Sequence, residues 1–171
     1  MKNLLTAAVL LLSVFTVQAQ KKCKYNIDKV DQFTGKELKV IDFKIGYSWR
    51  IYFKKVNQEF QISLKAEKLG DMNHIVVKGD SLIFALEGEK PLVIYTNKEA
   101  TPISKVESKD SNPHVVTTYN LDYSCTKEEF ETLSNYVVTG IKLFIGNEDD
   151  TIYLPKSHKK KIQHSVTCLL N

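Results

Sequence analysis

The strongest constraint on the fold is an alternation of apolar and polar residues in two neighbouring segments, "YSWRIYFKKV" and "FQISLKAE". Successive side chains of a β-strand point to opposite faces, so this period predicts strands with one buried and one solvated face. Such a sheet indicates antiparallel pairing, and the short connector at 57–59 predicts a hairpin. The predicted buried residues are Tyr47, Trp49, Ile51, Phe53, Phe60, Ile62, Leu64 and Ala66.

Further strand-like segments precede and follow this hairpin. They are "ELKVIDFKIG", "HIVV", "SLIFALE", "PLVIYTN" and "HVVTTYNLDYS", and a later hairpin joins "YVVTGIKLFIG" to "TIYLP". The continuous apolar run from Leu82 to Leu86 favours a central strand that is covered on both faces. The polar stretch "SKDSNP", at 108–113, predicts a surface loop because it is rich in turn formers.

Two segments late in the chain predict helices. Thr126 followed by Glu129 is a capping-box pattern, in which each side chain binds the other residue's backbone amide. In the closing segment, Ser157 is a candidate N-cap. An apolar stripe at helical spacing predicts the buried side of this helix, and it contains Ile162, Val166, Leu169 and Leu170. The predicted fold class is α+β, a twisted antiparallel β-meander sheet with the two late helices packed on one face.

The first residues, "MKNLLTAAVLLLSVFTVQAQKKC", have the pattern of a secretory signal peptide. Lys2 precedes an apolar stretch of about 14 residues, and Val17-Gln18-Ala19 has the spacing of a cleavage site. The sequence therefore predicts a signal peptide at 1–19 and a single α+β domain at 20–171. We expect export to the periplasm or the extracellular space without a lipid anchor, because lysines and not small residues precede Cys23.

Three cysteines, Cys23, Cys125 and Cys168, follow the predicted cleavage site. In an exported protein a disulfide is the usual state, and the sequence leaves three pairings open. We expect a Cys23–Cys168 bond because Cys168 falls opposite the apolar stripe of the last helix, where a passing N-terminal strand could reach it. Cys125 is interpreted as a buried structural thiol, since Glu128 and Glu129 disfavour a thiolate beside it.

The sequence offers no pattern for catalytic, cofactor-binding or metal-ligating residues. The histidines lack zinc-ligand spacing, and the acidic run Glu148-Asp149-Asp150 does not match a calcium loop and predicts a solvated hairpin tip. The candidate surface contacts are Tyr52, on the polar side of its strand, and the basic run Lys159, Lys160 and Lys161. Because the lysines lack interleaved aromatic residues, and the net charge is only +4, nucleic acid is not the favoured partner.

The stretch "CKYNIDKVDQFTGK", from Cys23 to Lys36, resembles the start of a group of small secreted bacterial proteins. In that group a cysteine follows the signal peptide, and a turn similar to Asp-x-Phe-Thr-Gly-Lys leads into lysine-rich strands. A "GDSLIF"-like strand in mid-chain and a cysteine in the last helix, like Cys168, extend the resemblance. It implies an envelope or secreted α+β domain and carries over no catalytic residue.

Three functional hypotheses follow. The leading one is an exported, non-enzymatic binding or interaction module of the cell envelope or secreted fraction, with a protein or small-molecule partner. The first alternative is a secreted hydrolase with scattered residues, such as His114 with Asp122, or Glu128 with a distant acid. The second alternative is a carrier that holds a small apolar ligand between sheet and helices, which requires an apolar cavity of roughly 300 Å³.

Overall fold

A computed structural model describes residues 22–109, 112–145 and 148–171. The predicted signal peptide at 1–19 lies outside the described residues. The strands are β1 (Ile27–Val30), β2 (Glu37–Ile45), β3 (Trp49–Val56), β4 (Glu59–Leu69), β5 (Ser81–Leu86), β6 (Leu92–Tyr95), β7 (Ile103–Lys109), β8 (Asn112–Cys125), β9 (Val138–Ile145) and β10 (Glu148–Tyr153). The helices are α1 (Lys127–Asn135) and α2 (Lys156–Leu170).

The strands form two antiparallel sheets. One has six strands in the order β1-β2-β3-β4-β8-β7, and the other has four in the order β10-β9-β5-β6. The connected hairpins β2–β3 and β3–β4 form the meander that the alternation predicts. β8 then pairs with β4 over ten positions although the β5–β6 hairpin separates them in sequence. The first of the two sheets is therefore completed by a strand that returns from a distant part of the chain.

A single core fills the space between the inner face of the six-stranded sheet, the four-stranded sheet and both helices. The inner face contributes Trp49, Ile51, Phe53, Ile62 and Leu64, each at most 1% exposed. α2 packs against β2, β3 and β9, and α1 packs against β4. The predicted α+β class, with two late helices on one face, is confirmed. The division of the strands into two sheets is an addition to it, because an alternating pattern does not specify which strands pair.

Some local predictions are wrong. β5 is a central strand of its sheet, as predicted, but it alternates between buried and less buried residues, and Ala85 is exposed, so Leu82 to Leu86 is not covered on both faces. "HIVV" contributes only an isolated bridge between Val76 and Ala100. Of the predicted loop at 108–113, residues 108–109 and 112–113 belong to the paired strands β7 and β8, and residues 110–111 lie outside the described residues. That hairpin is exposed along much of its length, so it lacks the apolar alternation that would reveal strands.

The helices begin close to where the sequence places them. The capping box of α1 is confirmed: Thr126 Oγ1 accepts from the Glu129 amide at 3.2 Å, and Glu129 Oε2 accepts from the Thr126 amide at 2.7 Å. α2 begins at Lys156 with Pro155 as N-cap, so Ser157 lies inside the helix and is not the cap. Ile162, Val166 and Leu169 of the stripe are buried. No helix in the described part of the chain is long and apolar enough to cross a membrane.

Candidate binding surface

The outer face of the six-stranded sheet carries the polar side chains of the alternating strands. The registers of β2, β3, β4 and β8 place Asp42, Tyr52, Ser63 and Asp122 in one row across the sheet. We use "outer face" for these four residues and the polar residues in the adjoining rows, which are Lys44, Arg50, Lys54, Lys65, Glu67 and Asn120. Tyr52, the sequence-based contact candidate, therefore lies in the middle of a polar surface.

Ion pairs and hydrogen bonds hold the side chains of the outer face. Asp42 pairs with Arg50 across β2 and β3, and the Ser63 hydroxyl donates to the Asp122 carboxylate. Lys65 Nζ lies 2.6 Å from Glu67 Oε1. Because these cations and carboxylates pair with each other, their hydrogen-bond donors and acceptors are held in place on the surface.

Asp122 is the point where the outer face meets a second part of the chain. Lys54 Nζ lies 3.7 Å from its carboxylate, and Lys98 Nζ, from the connection between β6 and β7, lies 3.9 Å from it. The Asn97 side chain donates to the Ser124 hydroxyl at 2.7 Å, which holds the same connection against β8. Lys98 therefore adds a cation to this surface from outside the sheet.

Two shallow cavities lie side by side on the outer face and share Lys65 as a lining residue. The first, of about 220 Å³, is lined mainly by polar residues, with one aromatic and two aliphatic members: Tyr52, Lys54, Ser63, Leu64, Lys65, Asn120, Leu121 and Asp122. The second, of about 200 Å³, adds Lys44, Ser48, Trp49, Arg50 and Glu67. The Lys54 ammonium lies 5.9 Å from the centroid of the half-buried Tyr52 ring. We call these two cavities together the outer groove.

The other aromatic residues of this region lie elsewhere. Trp49 is 1% exposed and belongs to the core, as predicted. Tyr47 is 97% exposed, so its predicted core position is wrong. The strand alternation does not reach Tyr47, because β2 ends at Ile45 and β3 begins at Trp49, which leaves Tyr47 in the turn between them.

The three lysines of α2 do not form one patch. Lys159 and Lys160 line a cavity of about 390 Å³ together with Glu87, Val137, Lys156 and Gln163. Lys161 lies on another side of the helix, where its ammonium is 4.4 Å from the centroid of the Phe43 ring. A cation over an aromatic face is stabilising, so Lys161 has a packing role in the fold. Lys159 and Lys160 are contact candidates on a surface separate from the outer groove.

The disulfide joins Cys23 to Cys168, as the sequence predicts. The expected reason is wrong in one respect, because Cys168 is only 2% exposed and does not lie on a solvated side of α2. The N-terminal segment covers it: the Tyr25 hydroxyl donates to the Cys168 carbonyl at 2.9 Å. The His164 ring lies within 3.7 Å of Cys168 Sγ, but that sulfur is already committed to the disulfide.

Cys125 is a free, half-buried thiol at the end of β8. Burial, together with the nearby Glu129 carboxylate, raises the pKa of this thiol to about 12. A thiol that keeps its proton is a poor nucleophile, which agrees with the predicted structural role.

The acidic run at Glu148-Asp149-Asp150 belongs to the edge strand β10 and not to a hairpin tip. Lys142 Nζ lies 2.5 Å from Asp149 and holds the pKa of that carboxyl below its usual value. Lys68 lies 3.4 Å from Glu148 and 4.0 Å from Asp150. Among the described residues no group of three or more His, Cys, Asp or Glu side chains is arranged to hold a metal ion.

The catalytic pair named for the hydrolase hypothesis is not brought together. His114 and Asp122 both lie on β8, eight residues apart, which corresponds to roughly 27 Å along an extended strand. Glu128 lies in the first turn of α1, where an acid favours the positive end of the helix. The largest of the three cavities, at about 390 Å³, is lined mainly by charged residues, which does not suit an apolar cargo.

The residues around Tyr52 divide into those that the alternation could reveal and those that it could not. Arg50, Lys54 and Lys65 are on the polar side of predicted strands, so the period-2 pattern already marks them as solvated. Asp122 and Lys98 come from distant segments, and the sequence has no signal that places them beside Tyr52. Comparison with protein-family models, with curated proteins and with solved structures finds no match for this chain.

Proposed function

We propose that this protein is an exported, non-enzymatic binding module that engages a polar partner through the outer groove. The observation that carries the proposal is the position of Tyr52. Its ring is half-buried beside Lys54 and next to a hydrogen-bonded Ser63–Asp122 pair, on a face where the neighbouring side chains are held by ion pairs. An aromatic side chain framed by oriented polar groups is a common arrangement for recognition, because the ring provides contact area at a low cost in entropy.

The charges in and beside the outer groove favour a partner with acidic and hydroxyl groups. Cations from Lys44, Arg50, Lys54, Lys65 and Lys98 outnumber the carboxylates of Asp42, Glu67 and Asp122. Each carboxylate already has a cation beside it, so the remaining donor capacity lies on the basic side chains. Such a surface binds ligands that accept hydrogen bonds from ammonium and guanidinium groups.

The proposed location is the cell envelope or the secreted fraction of a bacterium. The signal-peptide pattern at 1–19 supports export, and the resemblance at Cys23–Lys36 supports a bacterial envelope or secreted protein. The Cys23–Cys168 disulfide supports an oxidising compartment, in which such bonds persist.

Affinity capture with a matched control tests the proposal. The disulfide-intact protein is immobilised and exposed to envelope extract and to culture fluid. Retained proteins and small molecules are then identified by mass spectrometry. We expect a specific partner that is lost with Tyr52→Ala and with Lys65→Glu. Tyr153→Ala is the control, because Tyr153 is 85% exposed on β10, away from the outer groove.

Two outcomes would contradict the proposal. One is that neither extract yields anything above background with the wild-type protein. The other is that Tyr52→Ala and Tyr153→Ala retain the partner equally well, which would place the contact outside the outer groove. Thermal unfolding of each variant shows whether a loss of capture reflects a lost contact or a lost fold.

A further inference from the structure

β7 is an edge strand with one side open. It pairs with β8 through Ile103–Lys109, and it is the last strand of the six-stranded sheet. Within the described ranges no other strand pairs with its far side, which leaves a row of backbone donors and acceptors without strand partners. Proteins that stay monomeric usually cover or interrupt such an edge, or place charged side chains along it.

The exposed side chains of β7 include two apolar residues. Val106 is 70% exposed and Ile103 is 51% exposed. Leu69, at the end of β4 in the same part of the sheet, is 73% exposed. Apolar residues on an open edge favour the addition of another strand.

The charges of β7 are complementary to those of a second, antiparallel copy of the same strand. Val106 is the middle residue of the seven, with Lys105 before it and Glu107 after it. Two antiparallel copies that meet at Val106 bring Lys105 of each copy opposite Glu107 of the other, and Ser104 opposite Ser108. Both charged side chains are exposed, and neither has an ion-pair partner among the described residues.

We propose that two copies of this protein associate edge to edge through β7, antiparallel, with a two-fold axis at Val106. The two six-stranded sheets then continue into each other, and backbone hydrogen bonds join the two edges. Directly opposite residues in such a pair have Cβ atoms roughly 5 Å apart, so the two Lys105–Glu107 contacts are attractive.

The charges select this register over its neighbours. Moving the axis to Lys105 places Lys105 opposite Lys105, and moving it to Glu107 places Glu107 opposite Glu107. Like charges directly opposite each other are destabilising. A shift of the pairing by a single residue sets Lys105 against Val106, which joins the outer face of one copy to the inner face of the other.

The dimer and the proposed function are independent of each other. β7 is at the edge of the sheet, and the outer groove is on its central strands, so association leaves both grooves open. A two-fold axis at Val106 keeps the outer faces on one side of the continued sheet. Variants of Tyr52 are thus expected to dimerise normally, and variants of β7 to keep an intact groove.

Charge reversal tests the pairing. Sedimentation velocity over a range of concentrations gives the dimer Kd of the disulfide-intact protein. Lys105→Glu and Glu107→Lys each replace two attractive contacts with two repulsive ones, so we expect each to weaken the dimer by about tenfold or more. The double variant Lys105→Glu/Glu107→Lys restores complementarity and the wild-type Kd. A mixture of the two single variants forms a heterodimer tighter than either homodimer.

A cross-link tests the axis itself. In the proposed dimer the two Val106→Cys residues lie directly opposite each other. Their Cα atoms are about 5 Å apart, a distance that suits a disulfide. Ser108→Cys is the matched control, because the two engineered residues would lie four positions apart along the strands, roughly 14 Å. We expect a covalent dimer with Val106→Cys and none with Ser108→Cys under the same mild oxidation.

Several results would overturn the inference. A wild-type protein that is monomeric at every concentration rules it out, and so does a dimer whose Kd is unchanged by Lys105→Glu. Equal cross-linking of Val106→Cys and Ser108→Cys would rule out the axis at Val106. Circular dichroism and thermal unfolding of each variant confirm that it is folded before its association is interpreted.

Discussion

The two faces of the six-stranded sheet differ in chemistry although they alternate along the same strands. On β3, Phe53 is fully buried against the Phe130 ring of α1, whereas its neighbour Tyr52 points into the outer groove. The inner face is covered by the second sheet and both helices, and the outer face has ion pairs and shallow cavities. The stability of the fold and the proposed recognition therefore depend on different residues of the same strands.

This difference has an energetic basis. A buried aromatic ring contributes several kcal/mol through apolar burial, whereas an exposed ion pair contributes about 0–1 kcal/mol because water screens it. The outer face can therefore vary in sequence with little effect on folding. We expect single substitutions on the two faces to change the free energy of unfolding by measurably different amounts.

The largest expected contrast is between the adjacent residues Phe53 and Tyr52. Phe53→Ala leaves a cavity beside Phe43 and Phe130 and is expected to lower the free energy of unfolding by about 3–5 kcal/mol. Tyr52→Ala is expected to lower it by about 0.5 kcal/mol, because it removes contacts on a solvated surface. Urea denaturation measures both values. Similar losses for the two variants would show that the outer face is also structural.

The second prediction concerns the disulfide that holds the N-terminal segment against α2 on the inner side. The bond joins residues separated by 145 positions, so its removal frees much of the unfolded chain. Cys23→Ser/Cys168→Ser is expected to lower the free energy of unfolding by about 2–5 kcal/mol. Urea denaturation under non-reducing conditions measures the loss, after peptide mapping has verified the bond in the wild-type protein.

A control separates the disulfide from the loss of a cysteine side chain. Cys125→Ser keeps the Cys23–Cys168 bond and removes a half-buried thiol, so its effect is expected to be smaller, at about 1 kcal/mol. Equal stability of the wild-type protein and the double variant would show that the packing of α2 against the core stabilises this side of the fold without the disulfide. Binding through the outer groove should survive in the double variant as long as the sheet is folded.

Sequence periodicity predicts which side chains share a face but not which strands pair. The alternation in β3 and β4 correctly assigns Trp49, Phe53 and Ile62 to the buried side. It fails at Tyr47, where a turn interrupts the strand, because Gly46 adopts a φ of 59° and the chain leaves the extended conformation. Periodicity holds only within an element, and the ends of elements are set by backbone turns.

The remaining differences between the predicted and the observed structure come from contacts between residues that are distant in sequence. Asp122 reaches the outer groove because β8 pairs with β4, and β5 joins the second sheet because it pairs with β9. β7 escapes sequence prediction because its side chains are exposed on both faces, so no apolar period develops. Cys168 could be paired with Cys23 by sequence reasoning, but its burial depends on the N-terminal segment that crosses α2.

The last expected effect is a pH dependence of stability that comes from the inner face. Burial and Glu129 raise the pKa of the Cys125 thiol to about 12, whereas the same thiol in the unfolded chain ionises near 9.0. Between these values the folded protein keeps a proton that the unfolded chain has released. The contribution of this thiol to the free energy of unfolding is therefore fully present below about pH 9. It is lost as the pH rises, by at most about 1.4 kcal/mol per pH unit.

Substitutions at two adjacent residues of β8, one on each face of the sheet, test this pH dependence. Cys125→Ser is expected to reduce the loss of stability between pH 8 and pH 11, measured by urea denaturation. Some loss will persist because burial also raises the pKa of Tyr123. Ser124→Ala, on the exposed outer side, should leave the slope unchanged. If both variants behave like the wild-type protein, the Cys125 thiol ionises as easily in the folded chain as in the unfolded one, and the contrast between the faces does not extend to proton binding.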